Sequence, residues 1–123
     1  MTILLDTNIL IDVLRNRPKA TALIAQLRQP PSTSVVSIME LYRGARSRNE
    51  EKQIERQLTA MKVLVITAEI AEAAGRLAKH YQASHGLDDI DALIAATAEH
   101  HELKLVTLNI KHFPMFAKLK APY

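Results

Sequence analysis

The chain has 123 residues, enough for one domain built on one core and too few for two. A hydrophobic share of 48% and a charged share of 24% exclude a disordered, collagenous or fibrous protein. The absence of cysteine excludes a disulfide framework, a thiolate zinc site and a cysteine nucleophile, and fits a reducing cytoplasm, the expected location.

The chain opens on a short apolar run, residues 2–5, which reads as a buried strand; without a basic region or long apolar core it does not read as a signal peptide. Asp6-Thr7-Asn8 then starts a helix with Ile9, Leu10, Val13 and Leu14 on one face. Pro18 suits a first helical position, Ala22, Leu23 and Leu27 continue that helix, and Pro30-Pro31 ends it. Residues 33–36 read as a second strand, followed by Ser37 as N-cap of a helix carrying Leu41 and Ala45. The charged stretch 49–61 places Ile54, Leu58 and Met61 on one helical stripe. A third strand is expected at 63–66, and an Ala-rich helix from about 68 to 83 ended by Gly86. Asp88 or Asp89 opens a helix over 90 to about 101, and 103–106 is the fourth strand, left through Thr107-Leu108-Asn109.

Short apolar strands alternating with amphipathic helices predict one α/β domain over residues 1–123, a three-layer α/β/α sandwich with a mostly parallel central sheet. No apolar run approaches the roughly 18 residues of a membrane span, so no membrane partner is expected.

Three acids fall at one edge of such a sheet. Asp6 ends the first strand, Glu40 lies in the first turn after the second, and Asp91 lies in the first turn of the helix that returns to the fourth. Each has a structural alternative. Ser37-Ile38-Met39-Glu40 is also a capping box, Asp88-Asp89-Ile90-Asp91 also a cap followed by charge favoured at a helix N-terminus, and Asp6 and Asn8 are ordinary cap residues. Carboxylates gathered at one edge repel one another unless a cation lies between them. Oxygen donors without cysteine or a His pair suit a hard ion, Mg²⁺ or Mn²⁺, and a carboxylate-held ion of that kind serves phosphoryl chemistry.

Four segments in order carry a family resemblance. Leu4-Leu5-Asp6-Thr7-Asn8-Ile9-Leu10, Glu40-Leu41-Tyr42-Arg43-Gly44, Asp91-Ala92-Leu93-Ile94-Ala95-Ala96-Thr97-Ala98 and Leu105-Val106-Thr107-Leu108-Asn109 with His112-Phe113 resemble the motifs of PIN domains, end to end. The size is similar to that of VapC-type toxins of toxin–antitoxin pairs. The resemblance implies a metal-dependent endoribonuclease acting on tRNA or rRNA, neutralised by an antitoxin protein and prone to form a homodimer. It places Asp6, Glu40 and Asp91 in the family's acidic positions as catalytic, metal-holding residues. A fourth position, often Asp, is Asn109 here, which puts a second tightly held ion in doubt. Asp88, one turn before Asp91, is the other candidate for that place, with an N-cap role as its alternative.

Asn8, Ser37 and Thr107 are candidates for orienting carboxylates or waters around the ion. Arg43 and Arg46, beyond Glu40, could grip RNA phosphates, with Arg15, Arg17, Lys19, Arg48, Lys111 and Lys118 extending the surface; a solvated helix face is the alternative for each. Gly44 inside a helix costs roughly 1 kcal/mol relative to Ala, which a close backbone approach would explain. His112 is a candidate for phosphate contact, while His80, His85, His100 and His101 lack ligand spacing. Five aromatics are too few for a base-stacking platform, so a structured RNA held by its backbone is expected.

Three rival functions remain. A haloacid-dehalogenase-type phosphatase needs a second Asp where Asn8 stands, and a receiver domain needs an Asp after the third strand, where Thr67 and Ala68 follow. The strongest rival is a non-catalytic PIN-like module that binds RNA or protein.

Overall fold

The computed structural model describes residues 2–123. Four short strands, β1 (Ile3–Leu5), β2 (Ser32–Ser34), β3 (Lys62–Leu64) and β4 (Lys104–Val106), form one sheet in the order β3-β2-β1-β4. Every neighbouring pair is parallel, so each connection must cross over through helices. The helices are α1 (Thr7–Leu14), α2 (Pro18–Ala25), α3 (Val35–Gly44), α4 (Arg48–Thr59), α5 (Ala68–His85) and α6 (Asp89–His100), and a single 3₁₀ turn, Ile110–His112, follows β4. No helix among the described residues is long and apolar enough to cross a membrane.

The period of two along each strand divides the core into two layers. Leu4 and Leu105 point into one, with Leu64, Ile70, Leu87, Ile94 and Phe113, under α5, α6 and the C-terminal segment. Leu5 and Val106 point into the other, with Ile9, Leu10, Leu41 and Ile54. Burying each of the larger side chains is worth roughly 1.5–3 kcal/mol, so both faces of the sheet are closed by apolar packing. The expected three-layer α/β/α sandwich is the observed one, with a sheet that is wholly parallel.

Topology decides where a site can form. From β1 the chain steps outward to β2 and β3, then returns to β4 on the opposite side of β1. The strand order reverses between β1 and β4, and in open α/β sheets the crevice beyond that reversal is where ligands bind.

Several boundaries differ from the expectation. The second strand is Ser32–Ser34, and Val35 and Val36 already belong to α3, because Ser34 Oγ accepts the Val36 N–H at 3.2 Å and starts the helix there. Ser37 is therefore not the N-cap. The third strand stops at Leu64, leaving Val65 65% exposed, and α2 ends at Ala25, five residues before Pro30. Helix α5 continues to His85 and stops at Gly86, whose φ of 66° is the left-handed conformation that glycine adopts without strain.

Candidate active site

Asp6 is the first residue beyond β1. Its position follows from register: Leu5 pairs with Val106, and the Asp6 N–H bonds to the Val106 carbonyl at 3.0 Å, so the next residues out, Asp6 and Thr107, stand side by side. Thr107 Oγ1 donates to Asp6 Oδ2 at 2.6 Å and accepts the Asn109 N–H at 3.0 Å. The other carboxylate oxygen accepts the Thr7 N–H at 2.7 Å, which makes Asp6 the N-cap of α1. Asn8 ties the two loops together. Its Nδ2 lies 3.4 Å from Asp6 Oδ2 and 3.3 Å from Thr107 Oγ1, and its Oδ1 accepts the Leu108 N–H at 3.2 Å.

Glu40 approaches from α3. Thr7 Oγ1 lies 2.6 Å from Glu40 Oε1 and 2.8 Å from Ser37 Oγ. Thr7 has one hydroxyl proton and a carboxylate only accepts, so that proton goes to Glu40 and Ser37 supplies its own to Thr7. With Ser34 as N-cap, Glu40 is the sixth residue of α3, in its second turn, and the capping-box alternative falls away. Ser37 is fully buried inside the first turn, facing Thr7. Thr7 is the residue that sequence reasoning missed. In the sequence it is only part of a helix start, although a hydroxyl directly after a strand-end acid is the signal that could have found it.

Asp91 enters from the N-terminus of α6, where Asp88 Oδ1 caps the helix by accepting the Asp91 N–H at 2.8 Å. Its Oδ2 lies 3.3 Å from His112 Nδ1, which is buried, out of line for a hydrogen bond, and without another partner among the described residues. His112 thus faces the Asp91 carboxylate with this nitrogen.

The carboxylates act on one another. Burial, the largest influence, pushes the Asp6 carboxyl above the usual 3.8; the Thr107 and Thr7 hydrogen bonds oppose this, and the charges of Glu40 and Asp88 reinforce it. Asp91 is pushed up to about 6, first by burial, then by Asp88 and Asp6, with His112 in opposition. Asp88 therefore caps a helix and crowds the acidic group at the same time. A buried set of like charges is unfavourable in isolation, and a cation or a proton relieves it.

Residues 3–119 match the sequence profile of the PIN domain. The chain belongs to the PIN-domain family. It is 41% identical to Ribonuclease VapC19 of Mycobacterium tuberculosis over 124 residues, covering 98% of both chains. Identity to Ribonuclease VapC10 of the same organism is 40%, covering 98% of this chain and 92% of the relative. Among solved structures, a toxin–antitoxin complex from Klebsiella pneumoniae superposes with a TM-score of 0.86 at 31% identity, over 99% of this chain and 98% of that one. VapBC-1 from nontypeable Haemophilus influenzae gives 0.78 at 26% identity, over 98% and 96%.

Within this PIN domain the acids form an open set. Among the described residues no three Asp, Glu, His or Cys side chains converge closely enough to enclose an ion by themselves. The donors at this edge are carboxylate and hydroxyl oxygens without cysteine, the chemistry of a hard-ion donor set. Asn109 is exposed, and its side chain makes no hydrogen bond where it begins the 3₁₀ turn. Arg43 is spent partly on Glu40, 3.7 Å from its Oε2, whereas Arg46 borders a cavity next to Glu40. A Cβ on Gly44 would meet nothing within 4 Å, so no close backbone approach accounts for this glycine.

Proposed function

We propose that this PIN domain is a metal-dependent endoribonuclease, the toxin of a toxin–antitoxin pair, hydrolysing phosphodiester bonds of tRNA or rRNA. The observation that carries the reading is a mutually repelling set of carboxylates, Asp6 and Asp91 buried, Glu40 half-buried and Asp88 exposed, in which the two buried carboxyls are raised by burial and by their neighbours' charge. A module that only binds RNA or protein has no physical need to keep such a set in place. Ribonuclease relatives at 40–41% identity support the activity.

Asp6, Glu40 and Asp91 would hold Mg²⁺, or Mn²⁺ in its place, with Asp88 or Asn109 as a further donor. Bound there, the ion would lower the pKa of a water and stabilise charge on the phosphate and leaving oxygens. The chain's own residues do the positioning. Thr107 and the Thr7 N–H hold both oxygens of Asp6, so the carboxylate cannot rotate away. The Thr7 hydroxyl, backed by Ser37, fixes one oxygen of Glu40 and leaves the other toward Arg43 and solvent, where it can orient a water for attack on phosphorus. Asp91 holds a proton part of the time near neutral pH and gives it up to ionise when positive charge arrives.

An antitoxin protein as partner is supported by the toxin–antitoxin assembly of the Klebsiella pneumoniae relative. A homodimer is supported by an apolar stripe on α3: Val35, Met39 and Tyr42, spaced four and three residues apart, are 36%, 49% and 38% exposed. The test combines thermal shift with cleavage. Mn²⁺ should raise the melting temperature of the wild-type protein and activate cleavage of total cellular RNA, while Asp6→Asn loses both effects and stays folded. A protein indifferent to Mn²⁺ and inert toward RNA would be the non-catalytic module.

A further inference from the structure

We propose that His112 is a positioning residue of the active site, its Nδ1–H donating to Asp91 Oδ2 and so fixing the direction in which that carboxylate faces. This deepens the ribonuclease reading above and rests on it.

The other acids at this edge each have a donor. Asp6 receives the Thr7 N–H on one oxygen and the Thr107 hydroxyl on the other. Glu40 receives the Thr7 hydroxyl, with Arg43 3.7 Å from its second oxygen, and Asp88 receives the Asp91 N–H. Asp91 is the exception. Among the described residues its backbone N–H is bonded but nothing donates to its carboxylate, although the side chain is only 12% exposed.

His112 Nδ1 is the matching orphan, buried without a partner even though the ring as a whole is 44% exposed. Two unpartnered polar atoms therefore face each other 3.3 Å apart. A buried polar atom left alone is destabilising, and one proton between two such atoms relieves both. A carboxylate only accepts, whereas Nδ1 is the donor in one neutral tautomer of the ring, so the direction of the bond follows. The pair is out of line by torsions, χ2 of Asp91 and χ2 of His112, that are broad and turn at little cost.

The chain around His112 holds the ring at this place. Thr107 Oγ1, already bonded to Asp6, accepts the Asn109 N–H and leads into the 3₁₀ turn Ile110–His112. The His112 N–H closes on the Asn109 carbonyl at 3.1 Å, and the Phe113 N–H on the Ile110 carbonyl at 3.1 Å. Phe113 is 1% exposed in the core with Leu87 and Ile94, so the residue after His112 is anchored. One hydroxyl thus serves two acids. It bonds Asp6 directly, and through the turn it sets His112 against Asp91. The apolar core takes Phe113 and leaves Lys111 exposed, so packing alone does not call for a histidine between them.

The test begins without metal or RNA. In the metal-free protein at about pH 8, nitrogen-15 NMR of the imidazoles should find His112 protonated on Nδ1, its signal assigned by its absence from His112→Leu. Asp91→Ala should move that proton to Nε2. Calorimetry should then show Mn²⁺ affinity about 10–100-fold weaker in His112→Leu. His112→Asn, whose amide nitrogen reaches the place of Nδ1, should restore most of it. His112→Gln, whose amide nitrogen reaches the place of Nε2, should not. A bare Nδ1 in the wild-type protein, equal Mn²⁺ affinity in all variants, or rescue by Gln in place of Asn overturns the role of His112 and leaves the ribonuclease reading standing. A wild-type protein that binds no Mn²⁺ overturns both.

Discussion

Thr107 Oγ1 stands 2.6 Å from Asp6 Oδ2, a contact made between the ends of two adjacent parallel strands across 101 positions of chain. Both groups are buried, so the hydroxyl is among the few donors offsetting the burial of that carboxylate. Thr107→Val keeps the shape and removes the donor. Mn²⁺ affinity measured by calorimetry should fall about 10–100-fold, the usual effect of losing a group that orients a ligand. Thr107→Ser should restore most of it. An unchanged affinity in the Val variant would mean that Asp6 needs no such support.

Asp91→Asn should separate function from stability. It should abolish Mn²⁺-dependent cleavage, yet raise the melting temperature of the metal-free protein by several degrees, because it removes a buried charge repelled by Asp6 and Asp88. Differential scanning calorimetry in EDTA reads this directly. A lower melting temperature would show that the Asp91 charge stabilises α6 more than its neighbours oppose it.

The same carboxyl sets a pH dependence. Folding raises Asp91 from 3.8 to about 6, so between those values the native state keeps a proton that the unfolded chain has released. Metal-free stability is then highest below about pH 4 as far as this group is concerned. It falls as pH rises through about 6 and is level above, a loss on the order of 2–3 kcal/mol. Asp6, raised for similar reasons, acts in the same direction. Urea titrations in EDTA at pH 4.5 and 7.5 would show the decline, and saturating Mn²⁺ should diminish it.

Glu40→Gln has a sharper meaning in the structure than in the sequence. Because Ser34 caps α3, Glu40 has no capping duty, and its neutral isostere should change stability by less than about 1 kcal/mol. Cleavage should drop by orders of magnitude at constant RNA affinity. A Glu40→Gln protein of normal rate would remove Glu40 from the water-orienting role.

Asn109→Asp adds a formal charge just past β4, where the Asn109 side chain makes no capping hydrogen bond among the described residues. Calorimetry with Mn²⁺ should show tighter binding in the free protein. If affinity and stoichiometry stay the same, the further donor is Asp88, and Asp88→Asn should then carry the metal defect.

The alternation of strands and helices, and with it the parallel sheet, is legible because Leu4, Leu5, Leu105 and Val106 lie in short apolar runs ended by polar residues. Asp6 and Asp91 stand out for a related reason, each at a helix start next to an apolar run. The second strand is displaced in the sequence reading because Ser32-Thr33-Ser34 is polar yet fully buried, while the β-branched Val35-Val36 that look like a strand begin a helix. That shift produces the mistaken capping box around Glu40. Contacts joining distant chain segments leave no local signal. Tyr123 makes such a contact: its hydroxyl donates to Asp12 Oδ2 at 2.7 Å, and its phenol is pushed up to about 12, chiefly by burial and also by that acceptor.

The reversal of strand order has a further consequence, in time and not in space. Asp6 is made early in synthesis, but its partner on β4 is made a hundred residues later, and α6 with Asp91 only shortly before. A chain emerging from the ribosome can pair β1 with β2 and β3 while the edge beside β1 still stands empty. The acidic cluster is therefore one of the last things folding assembles. Long-range parallel pairing of this kind is intrinsically slow, because loop closure comes before any contact rewards it. A nuclease that becomes competent only when its final strand docks has a built-in delay between translation and damage, set by topology alone.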